Sequence, residues 1–352
     1  MKLLHLVSGG DGGGARTHVH TLLRELAKTE RVRLVCLGDG PMAGPGMDAI
    51  VLRGSFARQR AALERVFLSE RPDMLHCHGA RANVAAATLR ARGGARFLST
   101  VHSDPALDYL GRPLAGAVRG PLNAWALGRM DCLVGVSEAM AAALRRRGYP
   151  VAGSIYNGLD FSREPRSKEP GAYITVGTAA RLDPVKDLPT LLRGFARAAA
   201  QDPRLRLRIA GSGREEGRLR ALAARLSIAS RVEFCGWVED MESFYASLDI
   251  AALTSRSETF PYALLMAARE GLAVTATDVG GVGELIASPE CGILFPPGDD
   301  AALSRSLLAL AADEGARERM GRRLRAYAKT RFTPERMASQ QLEIYRQLAE
   351  RG

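Results

Sequence analysis

Apolar runs of strand length alternate along the whole chain with stretches in which apolar residues recur every third or fourth position. The first run, Lys2–Ser8, predicts a strand; a glycine-rich loop and a helix over Thr17–Lys28 follow. A strand is expected at Arg31–Leu37, then a Gly- and Pro-rich stretch, Met42–Arg53, read as a loop with a short strand. Helix Ser55–Glu70, strand Met74–Cys77, helix Arg81–Arg92, strand Phe97–Val101, a helix-rich region to Gly128, strand Cys132–Val136 and helix Ser137–Arg147 continue the alternation. Ser162–Ala172 is polar, charged and Pro-bearing, and reads as a linker. Beyond it, strands at Tyr173–Ala179, Arg206–Ala210, Val232–Cys235, Asp249–Thr254, Leu272–Thr277 and Ile293–Phe295 alternate with helices at Leu188–Ala200, Arg214–Leu226, Met241–Leu248 and Tyr262–Gly271. Helices Ala301–Ala312 and Ala316–Arg331 follow, and Thr333-Pro334-Glu335 opens a last one to about Ala349, with Thr as N-cap and Pro at the first helical position. Such alternation calls for parallel sheets with helices on both faces. The expected division is residues 1–161, a linker 162–172, residues 173–332, and a terminal helix 333–352.

The bulk properties narrow the class. The chain has 352 residues, enough for two separate cores. No apolar run approaches the roughly 20 residues that span a bilayer, and MKLLHLVSGG reads as a first strand, not a signal peptide. Cys36, Cys77, Cys132, Cys235 and Cys291 are odd in number and widely spaced, which predicts packed thiols in a reducing, cytoplasmic setting. Net charge is +11, and residues 1–165 carry most of it, with 22 Lys and Arg against 14 Asp and Glu. Arg112, Arg119, Arg129 and Arg145–Arg147 form its densest part. This charge suits anionic lipid headgroups at the inner face of a membrane, a phosphorylated acceptor, or plain solvation. Nucleic acid is not expected, because no aromatic interleaving or binding motif accompanies it.

Candidate chemistry gathers at predicted strand ends. Glu258 lies between strand Asp249–Thr254 and helix Tyr262–Gly271, at a carboxyl end where doubly wound sheets bind ligands. The N-terminus of that helix, at Tyr262 and Ala263, suits an anion. In Asp73-Met-Leu-His76-Cys-His78-Gly79, His76 and His78 share one strand face. The sequence offers no evident third ligand, so a cleft-lining or structural role is expected and no metal. His102 falls at the next strand's end. Gly10-x-Gly12-x-x-Ala15 mimics a dinucleotide fingerprint, but the next acidic residue, Asp39, comes too late for the usual ribose contact.

In Ser257-Glu258-Thr-Phe-Pro261 through Gly271, and in the order of the loops before it, the chain closely resembles the retaining glycosyltransferases of family 4, which have two Rossmann-like domains in a GT-B fold. The resemblance runs from the glycine-rich loop to the terminal helix. It implies transfer from a nucleotide-diphosphate sugar to a glycan or lipid-linked acceptor, with no further cofactor and no metal, and a terminal helix that packs back on the first domain. Gly177–Asp187 resembles the family's diphosphate clamp: Arg181 forks onto two phosphate oxygens and Lys186 adds a compact charge. Gly14, Tyr262 and Ala263 would assist. Glu258 would hold the transferred sugar, and His102 would reach it. Gly211, Gly213 and Gly236 match positions around the nucleotide pocket; Gly13, Arg16, His18 and His78 match the acceptor side. Ser137-Glu138, Asn157–Asp160 and Asp278–Glu284 also match, as a helix cap, a hinge-shaping turn and a loop behind the pocket.

One position departs. The family pattern is Glu, seven residues, Glu, and the second acid grips the ribose; here that position is Met266. A thioether accepts hydrogen bonds only weakly. Glu270, four residues on, either substitutes for the lost acid or is a helix-end surface residue. Two other readings stand beside the transferase: a non-catalytic relative acting as a scaffold, and a NAD-dependent oxidoreductase using the Gly10–Ala15 loop.

Overall fold

The computed structural model describes residues 1–10, 13–40, 42, 48–90, 94–104, 113–165 and 171–350, without the side chains of 113–116. Gly12 of the dinucleotide-like spacing, Arg112 of the basic cluster and the middle of the expected linker lie outside these residues. The chain divides into two compact units, Met1–Gly158 with Phe332–Gly352, and Leu159–Arg331.

The first unit holds seven strands: β1 (Lys2–Ser8), β2 (Arg31–Leu37), β3 (Ala49–Leu52), β4 (Met74–His78), β5 (Arg96–Val101), β6 (Cys132–Gly135) and β7 (Val151–Ser154). Its helices are α1 (Gly14–Leu26), α2 (Phe56–Glu70), α3 (Ala80–Ala87), α4 (Pro113–Leu127), α5 (Glu138–Arg146) and the terminal α13 (Pro334–Glu350). The strands pair in parallel in the order β3-β2-β1-β4-β5-β6-β7, so the order reverses between β1 and β4. The central strands are buried on both faces because helices cover both, while the edge strands β3 and β7 are only partly covered. Leu4, Leu6, Leu75, Cys77, Phe97 and Leu133 pack on one side with residues of α2, α3 and α5. Leu3, Met74, Leu98 and Val134 pack on the other, against Leu22 and Leu26 of α1 and Met337, Tyr345 and Leu348 of α13.

Caps fix the helix starts. Ser55 accepts from Arg58 N and Ser137 from Met140 N, and Thr333 Oγ1 accepts from Arg336 N ahead of Pro334. Three elements differ from expectation, and one of them, α3, ends at Ala87 and not at Arg92. Helix α1 begins three residues earlier, straight after the turn at Gly13. Strand β7, Val-Ala-Gly-Ser, has no alternation to announce it and pairs only with β6, at the sheet's edge.

The second unit holds β8 (Ile174–Ala179), β9 (Leu205–Ala210), β10 (Val232–Gly236), β11 (Ile250–Leu253), β12 (Ala273–Thr277) and β13 (Ile293–Phe295), parallel in the order β10-β9-β8-β11-β12-β13. Its helices are α6 (Leu188–Ala199), α7 (Glu216–Arg225), α8 (Met241–Ala246), α9 (Tyr262–Arg269), α10 (Val282–Leu285), α11 (Asp300–Ala312) and α12 (Glu314–Arg331). The order reverses between β8 and β11. Leu191, Leu192 and Phe195 of α6 and Leu303, Leu307 and Leu310 of α11 seal one sheet face. The start of the expected linker is fastened to this unit: Arg325 donates to the carbonyls of Phe161 and Arg163, at 3.4 and 2.7 Å.

Candidate active site

In the second unit the chemistry lies at the carboxyl ends of β8 and β11, flanking the reversal of strand order, where such sheets bind ligands. After β8 the chain passes Arg181 and enters a short 3-10 turn, Pro184–Lys186, capped by Asp183. Asp187 closes it in the left-handed region at φ 44°. The turn is bolted to the loop after β11: Arg256 N donates to Val185 O, and Thr254 Oγ1 to Lys186 O. Lys186 Nζ thereby reaches Glu258 Oε1 at 2.6 Å, and Ser255 Oγ donates to the same oxygen at 2.6 Å. Two residues 72 apart in sequence thus form one paired site. Arg181 is mostly exposed, 3.2 Å from Asp183 Oδ2.

The glycines expected around the nucleotide do a different job first. A Cβ on Gly211 would lie 2.0 Å from Ala180 O, and one on Gly213 2.4 Å from Leu182 O. The backbone of the Gly211–Gly213 loop therefore lies directly against the loop that carries Arg181, and Leu182 N donates to Ser212 O at 3.0 Å. Gly236 links to the same region, its carbonyl accepting from Gly211 N at 2.7 Å. Behind Glu258, Gly280 at φ 53° comes so close that a Cβ would stand 1.8 Å from Glu258 O. The Asp278–Gly281 loop is the floor on which Glu258 rests.

Helix α9 begins at Tyr262 after Pro261, with no side-chain cap, and leads with Tyr262, Ala263 and Met266 on its half-exposed side. Met266 accordingly occupies an accessible position. Glu270 does not share it. It is 6% exposed, and its carboxylate is paired with the guanidinium of Arg163 and with Arg269 Nε at 3.3 Å. Arg269 reaches on to Glu242 at 2.9 Å. Glu270 is therefore not a surface residue, and its carboxylate is already shared by two guanidiniums. It holds the chain just after Leu159 against the end of α9.

In the first unit the sequence missed a feature. His5 on β1 stands opposite His76 on β4, and Thr100 on β5 opposite His78, all on the face beneath α1 and α13. That face grades from apolar at the strand starts to imidazole at their carboxyl ends. Nδ1 of His5 lies 3.1 Å from Nε2 of His78, and Nδ1 of His78 lies 3.0 Å from Nε2 of His102. Tyr345 OH bridges His76 Nδ1 at 2.6 Å and His5 Nε2 at 3.3 Å, and Thr100 meets His76 Nε2 at 2.8 Å. His18 joins from α1, its Nδ1 2.9 Å from Asn157 Oδ1. The expected face shared by His76 and His78 is present, but His76 lies beneath the site, with both ring nitrogens engaged. The absence of a third partner is corrected: five imidazoles meet here. Leu3-x-His5 alternating in step with Met74-x-His76-x-His78 was the available signal.

Burial holds these rings neutral. It lowers His5 to about 3, with help from His18, and His18 to about 4, partly opposed by the hydrogen bond that His18 donates to Asn157. His76, His78 and His102 are pushed well below the usual histidine range by burial first and by one another second. His102 alone keeps part of its surface accessible. Gly13, Gly14 and Arg16 sit at the exposed start of α1, with Gly13 in the N-cap position and Arg16 half-buried. Four cysteines are buried and Cys235 is half-buried; all five are free thiols. No described helix is long and apolar enough to cross a membrane.

Residues 12–163 match the family described as Glycosyltransferase Family 4, and residues 161–327 that described as Glycosyl transferases group 1. An exopolysaccharide phosphotransferase of Streptomyces coelicolor is 31% identical over 63% of this chain, a match that spans only 24% of that longer protein. The lipopolysaccharide core biosynthesis glycosyltransferase LpsE of Rhizobium meliloti is 24% identical over 98% of both chains. Among solved structures, Anabaena HepE in complex with UDP-glucose has a TM-score of 0.84 at 21% identity, over 98% of this chain and 99% of its own.

Proposed function

The chain belongs to the family 4 glycosyltransferases, of GT-B fold, and on that premise we propose that it is a retaining enzyme that takes its sugar from a nucleotide-diphosphate sugar and passes it to a glycan or lipid-linked acceptor of the cell envelope. The oxidoreductase reading falls with that membership. The observation that carries the proposal is the Lys186–Glu258 pair at 2.6 Å beside the exposed Arg181, at the strand-order reversal of the second unit. An incoming diphosphate takes the Lys186 ammonium and the Arg181 fork, which neutralise the leaving group without calling on a metal. Glu258, relieved of part of its pairing, accepts from the hydroxyls of the sugar. Neutral His102 adds a hydrogen bond to a sugar hydroxyl. On one face of the sugar, the anomeric bond to the diphosphate breaks as the acceptor oxygen bonds to the same carbon. The acceptor's proton leaves on the departing phosphate oxygen.

The UDP-glucose bound to HepE and the part of LpsE in lipopolysaccharide core biosynthesis support a UDP-sugar and an envelope glycan as first choices. A surface on α4 supports work at an anionic membrane. Val118, Leu122 and Trp125 are 70%, 45% and 43% exposed at helical spacing, and Arg129 lies 4.9 Å over the Trp125 ring. Flotation with anionic vesicles at low salt should retain the protein and release the Leu122→Ser, Trp125→Ser variant; no retention of the parent removes the membrane contact.

The deciding experiment is a calorimetric and thermal-shift screen against UDP, GDP, ADP and their sugar conjugates, with Arg181→Ala and Glu258→Ala alongside. One nucleotide should bind selectively and lose affinity in Arg181→Ala, and the product's anomeric configuration by NMR should match the donor's. Folded protein that binds none of them would overturn the enzyme reading in favour of a scaffold.

A further inference from the structure

We propose that the histidine cluster of the first unit is a binding site for a zinc-class divalent ion, held by His18, His78 and His102. One ring nitrogen of each lies within 4.8 Å of one nitrogen of the others. Among them, His18 Nε2 is buried with no hydrogen-bond partner among the described residues, an arrangement that wastes a polar group unless a ligand meets it. The bond to Asn157 Oδ1 places the His18 proton on Nδ1, leaving Nε2 with its lone pair. The His18 ring stands edge-on to His102 with centroids 4.6 Å apart.

A second grouping, His5, His76 and His78, is geometrically as close, but its nitrogens are committed. His76 is bonded through both nitrogens, to Tyr345 and Thr100, and His5 through both, to Tyr345 and His78. These rings form the outer shell instead. With His78 Nε2 donating to His5 Nδ1, His78 Nδ1 is left as the ligand atom; it accepts from His102 Nε2 at 3.0 Å without the ion, and that proton moves to His102 Nδ1 when the ion binds. Two nitrogens on one tetrahedral ion stand about 3.3 Å apart, as bonds of about 2.0 Å require. The pair therefore needs to open by only about 0.3 Å. Fixing a ligand's tautomer through its other nitrogen is how metal-binding histidines are commonly oriented.

The donor set decides the ion. Three neutral imidazoles with no carboxylate suit Zn²⁺, Co²⁺, Ni²⁺ or Cu²⁺ and not Mg²⁺ or Ca²⁺. Three protein ligands leave a fourth position for water or a sugar oxygen, and the accessible edge of His102 is the way in. Occupancy recruits His102, so if the sugar contact proposed above holds, the ion is an inhibitor of transfer. Binding itself does not depend on that contact.

The test is titration of untagged, chelator-treated protein with Co²⁺, read by visible absorption. A four-coordinate spectrum should saturate at one equivalent and disappear on adding Zn²⁺. His102→Ala, at the accessible end, and His18→Ala should each abolish it. His5→Phe should weaken binding about 10–100-fold through the outer shell. No four-coordinate spectrum, or one that survives His102→Ala, overturns the site. The readout is independent of donor binding, so failure of either reading leaves the other's measurement intact.

Discussion

Lowering the pH from 7 to 5.5 should remove about 5 kcal/mol from the stability of the first unit, through four buried histidines alone. His5, His18, His76 and His78 are at most 2% exposed and are held neutral. In the unfolded chain each titrates near 6.5. Below that value the unfolded state binds more protons than the folded one, so stability falls as pH falls, and continues to fall until each folded pKa is reached. For His18 and His5 those lie at about 4 and about 3. Integrating one such group from pH 7 to 5.5 gives a little over about 1 kcal/mol, and four give about 5 kcal/mol, a large part of a domain's usual 5–15 kcal/mol. The chain supplies its own control. All six histidines lie in the first unit, and its two tryptophans are divided, Trp125 in the first and Trp237 in the second. Urea unfolding of Trp237→Phe and Trp125→Phe variants reports each unit separately by fluorescence. A loss under about 1 kcal/mol in the first unit, or an equal loss in the histidine-free second, would refute the reasoning.

Met266→Glu should tighten nucleotide binding by one to two decades, since a charged hydrogen bond to ribose is worth about 1.5–3 kcal/mol; calorimetry showing no gain would mean the ribose does not reach this side of α9. Glu270→Ala should cost about 2 kcal/mol of stability by removing the buried carboxylate that Arg163 and Arg269 share, with Glu242 left to Arg269, while nucleotide affinity stays within twofold; a selective loss of affinity would make Glu270 the ribose partner. Gly280→Ala should abolish transfer, because the added carbon meets the Glu258 carbonyl and not a movable side chain; an active Gly280→Ala enzyme would show that the Glu258 floor can shift.

What could be read from the sequence was what short-range pattern controls. Strand β2 falls where its apolar run does, and Ser55 and Ser137 cap the helices they precede. The strand-end positions of Arg181, Glu258 and His102 follow from alternation and turn chemistry alone. Long-range pairing was hidden. Nothing local says that Lys186 and Glu258 touch, because that contact depends on β8 and β11 being neighbours, which strand order and not strand identity decides. Glu270 misled for a related reason: helical spacing puts it on the Met266 face, but it caps α9, and there the pull of two guanidiniums outweighs the period.

His5 shows how far such pairing can change chemistry. A lone histidine in an apolar strand reads as core, and His76 and His78 read as a pair; register turns them into a cluster that also gathers His18 and His102. Both units reverse strand order at their third and fourth positions, yet they equip that place oppositely. The second unit sets a lysine against a glutamate in a part-buried ion pair, which a charged ligand can exchange into at modest cost because the partners are already desolvated. The first unit removes charge, burying imidazoles until they are neutral, which preserves the lone pairs that a soft cation or a hydroxyl can use. A fold that sets only where a ligand binds leaves the choice of ligand to these side chains. The experiments that separate the two chemistries are therefore nucleotide binding for the ion pair and cobalt binding for the imidazoles, each blind to the other.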